Sequence, residues 1–222
     1  FNSFIKKLQS VSNDDVASSS SEAPFDAESI KQVDYYDLIA VAEPGEAAVI
    51  ELFTDNSHTD IPSIDGIALL LPSKALYAVR PVTLFEAEAL ISSLCELGLK
   101  LYACDAKPMA YAAEAVCGRE LVFAHDVKIA EYMIYPNQNK YAIAKMLLKY
   151  YSYVNTQDEE AYLSENAVLS FCIIDEVLLL KRMGYIYAVA LKQNEVMEAN
   201  GTIELFESCE MPLVTTIASM EK

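Results

Sequence analysis

Glu51 is delivered by the apolar run Ala47-Ala48-Val49-Ile50, and Asp55 follows four residues later, within "VIELFTDNSHTD" at 49–60. Carboxylates set on a buried strand anchor divalent cations for phosphodiester hydrolysis. Two ions roughly 4 Å apart clamp the attacking water and the leaving oxygen, and several acids must neutralise and position them. A second acid is needed two residues after the first, on the same face of the strand; here that residue is Phe53. Asp55 lies in the turn-forming "TDNSHTD" and reads as a solvated loop residue. His58, in the same loop, reads as exposed and without a partner. His125 stands directly before the helix cap Asp126 and reads as a boundary residue with no chemistry. Asp158, Glu159 and Glu160 fall in the first turn of a helix, where the macrodipole favours acids. In "KMLLKYYSY" at 145–153 the apolar residues fall at helical spacing. They read as a core face rather than a nucleic-acid surface built on Lys145 and Lys149. A phosphate-cradling glycine loop and a GxSxG nucleophile motif are both absent from a chain with only six Gly.

The elements that must position these residues begin at about Tyr35. "YDLIAVAE", "AAVIELF", "IDGIALLLP" and "ALYAVRP" read as strands, separated by the turn signals "EPGE" and "LPSK". "TLFEAEALISSLCELG" reads as a helix, with Thr83 as N-cap, Glu86 completing a capping box and Gly98 as C-cap. A strand "LKLYAC", a helix from about Ala106, a strand "ELVFA" and a helix "VKIAEYMIYP" capped by Asp126 follow. After Pro136 helices are expected at 139–151, 158–183, 185–198 and 202–221. Sheet early and helices late define an α/β layered domain.

Residues 12–34, rich in Ser, Asp and Glu, read as a flexible linker. Before them Phe1, Phe4, Ile5 and Leu8 share one helical face, like the end of an upstream region. The chain starts on Phe rather than Met and is expected to be a fragment of a longer protein.

A chain of 222 residues with 53% hydrophobic residues, fourteen Tyr and eight Phe carries enough apolar surface for its own core. It has no run of eighteen apolar residues and no apolar signal core at its N-terminus, so a soluble, cytoplasmic protein without membrane contact is expected. Five scattered Cys without a CxxC pair are expected to be buried free thiols, with no disulfide framework and no zinc site. Thirty-three acids against sixteen bases give a net charge of −17, and Arg occurs only three times. Phosphate contacts need clustered Lys and Arg, so strong DNA binding by this chain alone is disfavoured.

Three stretches in order resemble the bacterial DNA polymerase I family (family A). "DVKIAEYMIYPNQNKYAIAKMLLKYY" is similar to the segment after that family's second exonuclease motif. "CEMPLVTTIASMEK" at 209–222 is similar to the opening of its polymerase domain, and "FNSFIKKL" to the end of its 5′-nuclease domain. The resemblance implies a ribonuclease-H-like 3′–5′ exonuclease fold, with a mixed sheet of about five strands flanked by helices and a helix-rich C-terminal part. It divides the chain into an upstream end and linker (1–34), an exonuclease-like domain (35–198) and the start of the helical lead-in to the polymerase domain (199–222).

The family's site uses an Asp-x-Glu strand, an Asn with an Asp four residues later, and Tyr-x-x-x-Asp on a helix, where the Tyr helps orient the water. In this chain Glu51 stands at the first Asp and Phe53 at the Glu. Asp105 stands at the Asn, Met109 at the essential Asp, Tyr162 at the Tyr and Asn166 at the last Asp. Phe and Met offer no oxygen, and neutral Asn is a poor ligand for hard cations such as Mg²⁺. These positions are therefore expected to be vestigial, with no catalytic residue, no metal and no cofactor. The resemblance then implies an inactive exonuclease-like spacer supporting the polymerase domain of a DNA-directed DNA polymerase in replication and repair. Its partners are the 5′-nuclease and polymerase domains of the same chain, and DNA is reached through the parent, which is nucleoid-associated. A monomer is the default. Two alternatives are an active, divergent exonuclease using Glu51, Asp105 and Tyr162 with Mg²⁺ or Mn²⁺, and an acidic protein-interaction module.

Overall fold

A computed structural model of the chain describes residues 23–55, 62–165, 167 and 169–220. The amphipathic stretch at 1–8, His58 and Asn166 lie outside the described residues, as does the side chain of Asp55. Six strands form one mixed sheet: β1 (Lys31–Gln32), β2 (Ala47–Asp55), β3 (Ser63–Leu71), β4 (Leu76–Pro81), β5 (Lys100–Ala103) and β6 (Phe123–Asp126), in the order β1-β4-β3-β2-β5-β6. β2, β3 and β4 form an antiparallel meander, while β5 and β6 extend it in parallel. This is a mixed α/β fold of a sheet flanked by helices, as expected.

Helices cover both faces. Ala48, Ile50 and Leu52 of β2 pack towards α1 (Tyr35–Val41), α2 (Leu84–Leu97) and α3 (Ala106–Cys117). Val49 and Phe53 pack on the other face, towards α5 (Ile143–Tyr151), α6 (Gln157–Leu163) and the long α7 (Glu176–Asn200). Both faces are covered by helices, so β2 is apolar almost throughout rather than alternating. Helix α4 (Val127–Ile134) starts where β6 ends, and Asp126 accepts from the amides of Lys128 and Ile129. The capping boxes Thr83/Glu86 of α2 and Thr156/Glu159 of α6 are both formed. Among the described residues no helix is long and apolar enough to cross a membrane.

The structure corrects several expectations. "YDLIAVAE" is helix α1, not a strand: Asp34 caps the amide of Tyr36 at 2.8 Å, and burial falls on Tyr35 and Leu38, three residues apart. A short apolar run fits either period, and the cap decided it. The strand expected at 120–124 is shifted to Phe123–Asp126, where β5 offers pairing. The helix expected at 158–183 is broken. It ends at Leu163, a 3-10 turn spans Phe171–Ile173, and α7 starts afresh under the Asp175 cap. After Gly201 come a helical turn (Ile203–Leu205), a π-turn (Phe206–Glu210) and α8 (Met211–Met220). The widened turn directly precedes Pro212, which has no N–H to donate four residues back.

Residues 23–34 are not free linker. Asp26 caps a 3-10 turn at Ala27–Ser29, and β1 pairs with β4. The five Cys are free, but Cys172 and Cys209 are exposed rather than buried.

The helices expected at 158–183 and 185–198 are not separated at Gly184; α7 runs straight through it. Its role is space, since a Cβ there would lie 2.1 Å from the Phe25 ring. Gly184→Ala at an exposed helical site would stabilise by about 1 kcal/mol. Here it is expected to destabilise by about 1–3 kcal/mol through overpacking. In a Phe25→Ala background the same change should be neutral or stabilising, which paired urea-unfolding curves will read.

Candidate functional site

Glu51 lies in the middle of β2, on the face that α7 covers, and is 8% exposed. A buried carboxylate in an apolar strand must find a partner. That partner is Arg182 on α7, itself 4% exposed, with Nε 3.3 Å from Glu51 Oε2. The same guanidinium donates from Nη1 to the Tyr162 carbonyl at the end of α6. Burial pushes the Glu51 carboxyl above its ordinary range, and Arg182 pulls it back. Burial also opposes the Arg182 charge, but Glu51 more than offsets this and the guanidinium is held cationic. Arginine does not deprotonate in proteins, and we therefore describe the two groups as an ion pair.

Phe53, two residues on and on the same face, is buried edge-on against Phe171, with centroids 5.4 Å apart and planes at 74°. The Phe171 ring in turn lies flush on Gly66 of β3, where a Cβ would come within 2.1 Å. Met109 does not join Phe53. It is buried in the cluster of Ile50 and Leu52, with Sδ 3.4 Å from the Leu52 amide. Asp105 precedes α3 with φ 71°, in the left-handed region, and makes no cap bond. Its half-exposed carboxylate pairs with Lys128 at 2.9 Å. Lys128 Nζ also donates to the Glu165 carbonyl at 3.3 Å. The Tyr162 hydroxyl accepts from the Asp175 amide at 2.7 Å and so helps hold the start of α7.

The structure thus gathers Glu51, Asp105 and the end of the Tyr162 helix, and two side-chain cations stand between them. Cations suit the carbonyl-rich C-terminus of a helix. The sequence reading missed both. For Arg182 the signal was present: a lone Arg inside "LLLKRMGYIYAVAL" falls on the buried face with Leu179 and Ile186, and such a residue needs a buried acid.

The described residues of this arrangement do not fit a divalent cation. Among the described residues no group of three or more His, Cys, Asp or Glu side chains is placed to hold a metal ion. The central carboxylate is taken by a guanidinium, and Phe53 beside it brings no oxygen.

The sheet order and covering helices are those of the ribonuclease-H-like 3′–5′ exonuclease fold, and structures of that fold are similar to this chain. The POL domain of Pol1 from M. smegmatis, in complex with DNA primer-template and dNTP, matches with TM-score 0.62 and 16% identity over 86% of this chain. This chain spans 31% of that polymerase chain. Brucella melitensis NrnC with bound Mg²⁺ gives TM-score 0.60 and 11% identity, over 86% of this chain and 90% of NrnC. Escherichia coli RNase D, an exoribonuclease involved in structured RNA processing, gives 0.61 and 13%, over 85% of this chain and 50% of RNase D. At such identities the likeness is one of fold. No family model matches the chain, and no curated protein matches it.

Proposed function

We propose that this 3′–5′ exonuclease-like domain does not hydrolyse nucleic acid. It acts as a spacer and support between the 5′-nuclease and polymerase domains of a bacterial polymerase-I-type enzyme. The observation that carries the reading is the fate of the retained acid: Glu51 is bound to a buried arginine, and the position two residues on is an aromatic packed on another aromatic. A net charge of −17 fits a domain that reaches DNA through its parent rather than by its own surface. In this reading the protein is a cytoplasmic monomer, and the described helices are its packing surface.

The competing reading, a divergent active exonuclease, draws support from the likeness to RNase D and NrnC. Purified protein incubated with 3′-labelled single-stranded DNA or RNA and Mg²⁺ or Mn²⁺ separates the two. The expected result is no shortening beyond the protein-free control with either substrate. Sustained 3′-end shortening that disappears in Glu51→Ala overturns the proposal.

A further inference from the structure

We propose that Arg182 is the resident cation of this acidic site. In this view a guanidinium from within the chain takes the place of a bound ion, and the site has become a metal-independent clamp joining β2, α6 and α7. The inference deepens the non-hydrolytic reading of the same site, but it is tested by stability rather than by hydrolysis, so the failure of either is visible apart from the other.

The guanidinium distributes its donors over two separate pieces of chain, the Glu51 carboxylate of β2 and the Tyr162 carbonyl at the end of α6. A planar fork with fixed donor directions can hold both acceptors at once, which an ammonium on a flexible stem cannot do with the same order. The charge balances locally, with one buried carboxylate against one buried guanidinium. Asp105 and Lys128 repeat the arrangement at the half-exposed rim. A divalent ion entering here would meet a cation that cannot shed its proton, and it would find too few oxygens to complete a shell of six or more ligands. Removing one partner of a buried pair strands the other charge, whereas replacing both with apolar residues is close to neutral. The clamp therefore predicts strong, sign-defined coupling between positions 51 and 182.

The test is a thermal-unfolding cycle on the full chain at pH 7, comparing wild type, Glu51→Leu, Arg182→Leu and the double variant, each in EDTA and in about 5 mM Mn²⁺. Each single variant is expected to lose roughly 10 °C, and the double variant to recover at least half of the Arg182→Leu loss. Wild type is expected to unfold at the same temperature in EDTA and in Mn²⁺. An Arg182→Leu chain that fails to fold while the double variant folds supports the clamp equally. A double variant no more stable than Arg182→Leu, including failure of both to fold, overturns it. A saturable Mn²⁺-dependent rise in wild type of about 5 °C or more also overturns it.

Discussion

Glu131→Leu is expected to cost about 2–4 kcal/mol of unfolding free energy, a large part of the 5–15 kcal/mol that usually holds a domain together. Glu131 lies on α4 and is 1% exposed. It accepts from Lys149 Nζ at 2.7 Å, the Tyr150 hydroxyl at 2.7 Å, Gln193 Nε2 at 3.0 Å and Gln138 Nε2 at 3.2 Å. One carboxylate thus ties α4 to α5, to α7 and to the loop after α4. Burial works against its charge, but Lys149, Tyr150 and Gln193 outweigh burial and hold the carboxyl below its ordinary range. Because the folded pKa is depressed, this contribution is complete above the unfolded value and is lost as pH falls through the folded one. Leucine fills the space but leaves the part-exposed Lys149 ammonium over the Tyr135 and Tyr150 rings without its carboxylate, and it leaves the Tyr150 hydroxyl and one Gln193 N–H without their acceptor. Glu131→Gln keeps the shape and one acceptor, and should lose about half as much. Denaturant unfolding at pH 7 reads both; a Glu131→Leu protein within about 1 kcal/mol of wild type rules out the hub.

The second large effect is acid sensitivity through His125. The ring is 2% exposed, stacked 5.6 Å from Tyr102 and tilted against Phe206. Gln193 Nε2 is committed to the Val127 carbonyl and Glu131, so its Oε1 faces His125 Nε2 at 3.0 Å and that nitrogen carries the proton. Burial pushes the His125 pKa down to about 4, against the weaker pull of Gln193 and Asn194. The unfolded chain takes up a proton near pH 6.5, which the folded chain refuses until about pH 4. Stability therefore falls as the pH drops through that window, by about 2 kcal/mol at pH 5 from this residue alone. Glu51, whose pKa is raised, acts with the opposite sign and offsets part of the loss. The His125→Gln variant isolates the histidine: its loss between pH 7 and pH 5 should be smaller than that of wild type by about 2 kcal/mol. Equal losses in the two proteins defeat this assignment.

The residues that were legible in sequence share a physical trait: their signal is local. Thr83 with Glu86 and Asp126 before an apolar helix declare caps within three residues, and both formed. β2, β3 and β4 were visible as runs bounded by turns. The failures came where a distant partner decided. His125 reads as a boundary residue until Gln193, Tyr102 and Phe206 close around it, and the glycine at 184 is set by the ring of Phe25 far upstream. Tyr35–Val41 is the exception, since its Asp34 cap is local and its short apolar run fits either period.

At the site itself, residue identity alone established that Phe53 and Met109 carry no oxygen, because donor chemistry is a property of the side chain. Where those side chains go was not written locally: Met109 packs with Ile50 and Leu52 rather than with Phe53. Nor was it written that Glu51 meets an arginine 131 residues away. Charge pairing across such a distance depends on how α7 docks against the sheet, and only the folded chain sets that docking.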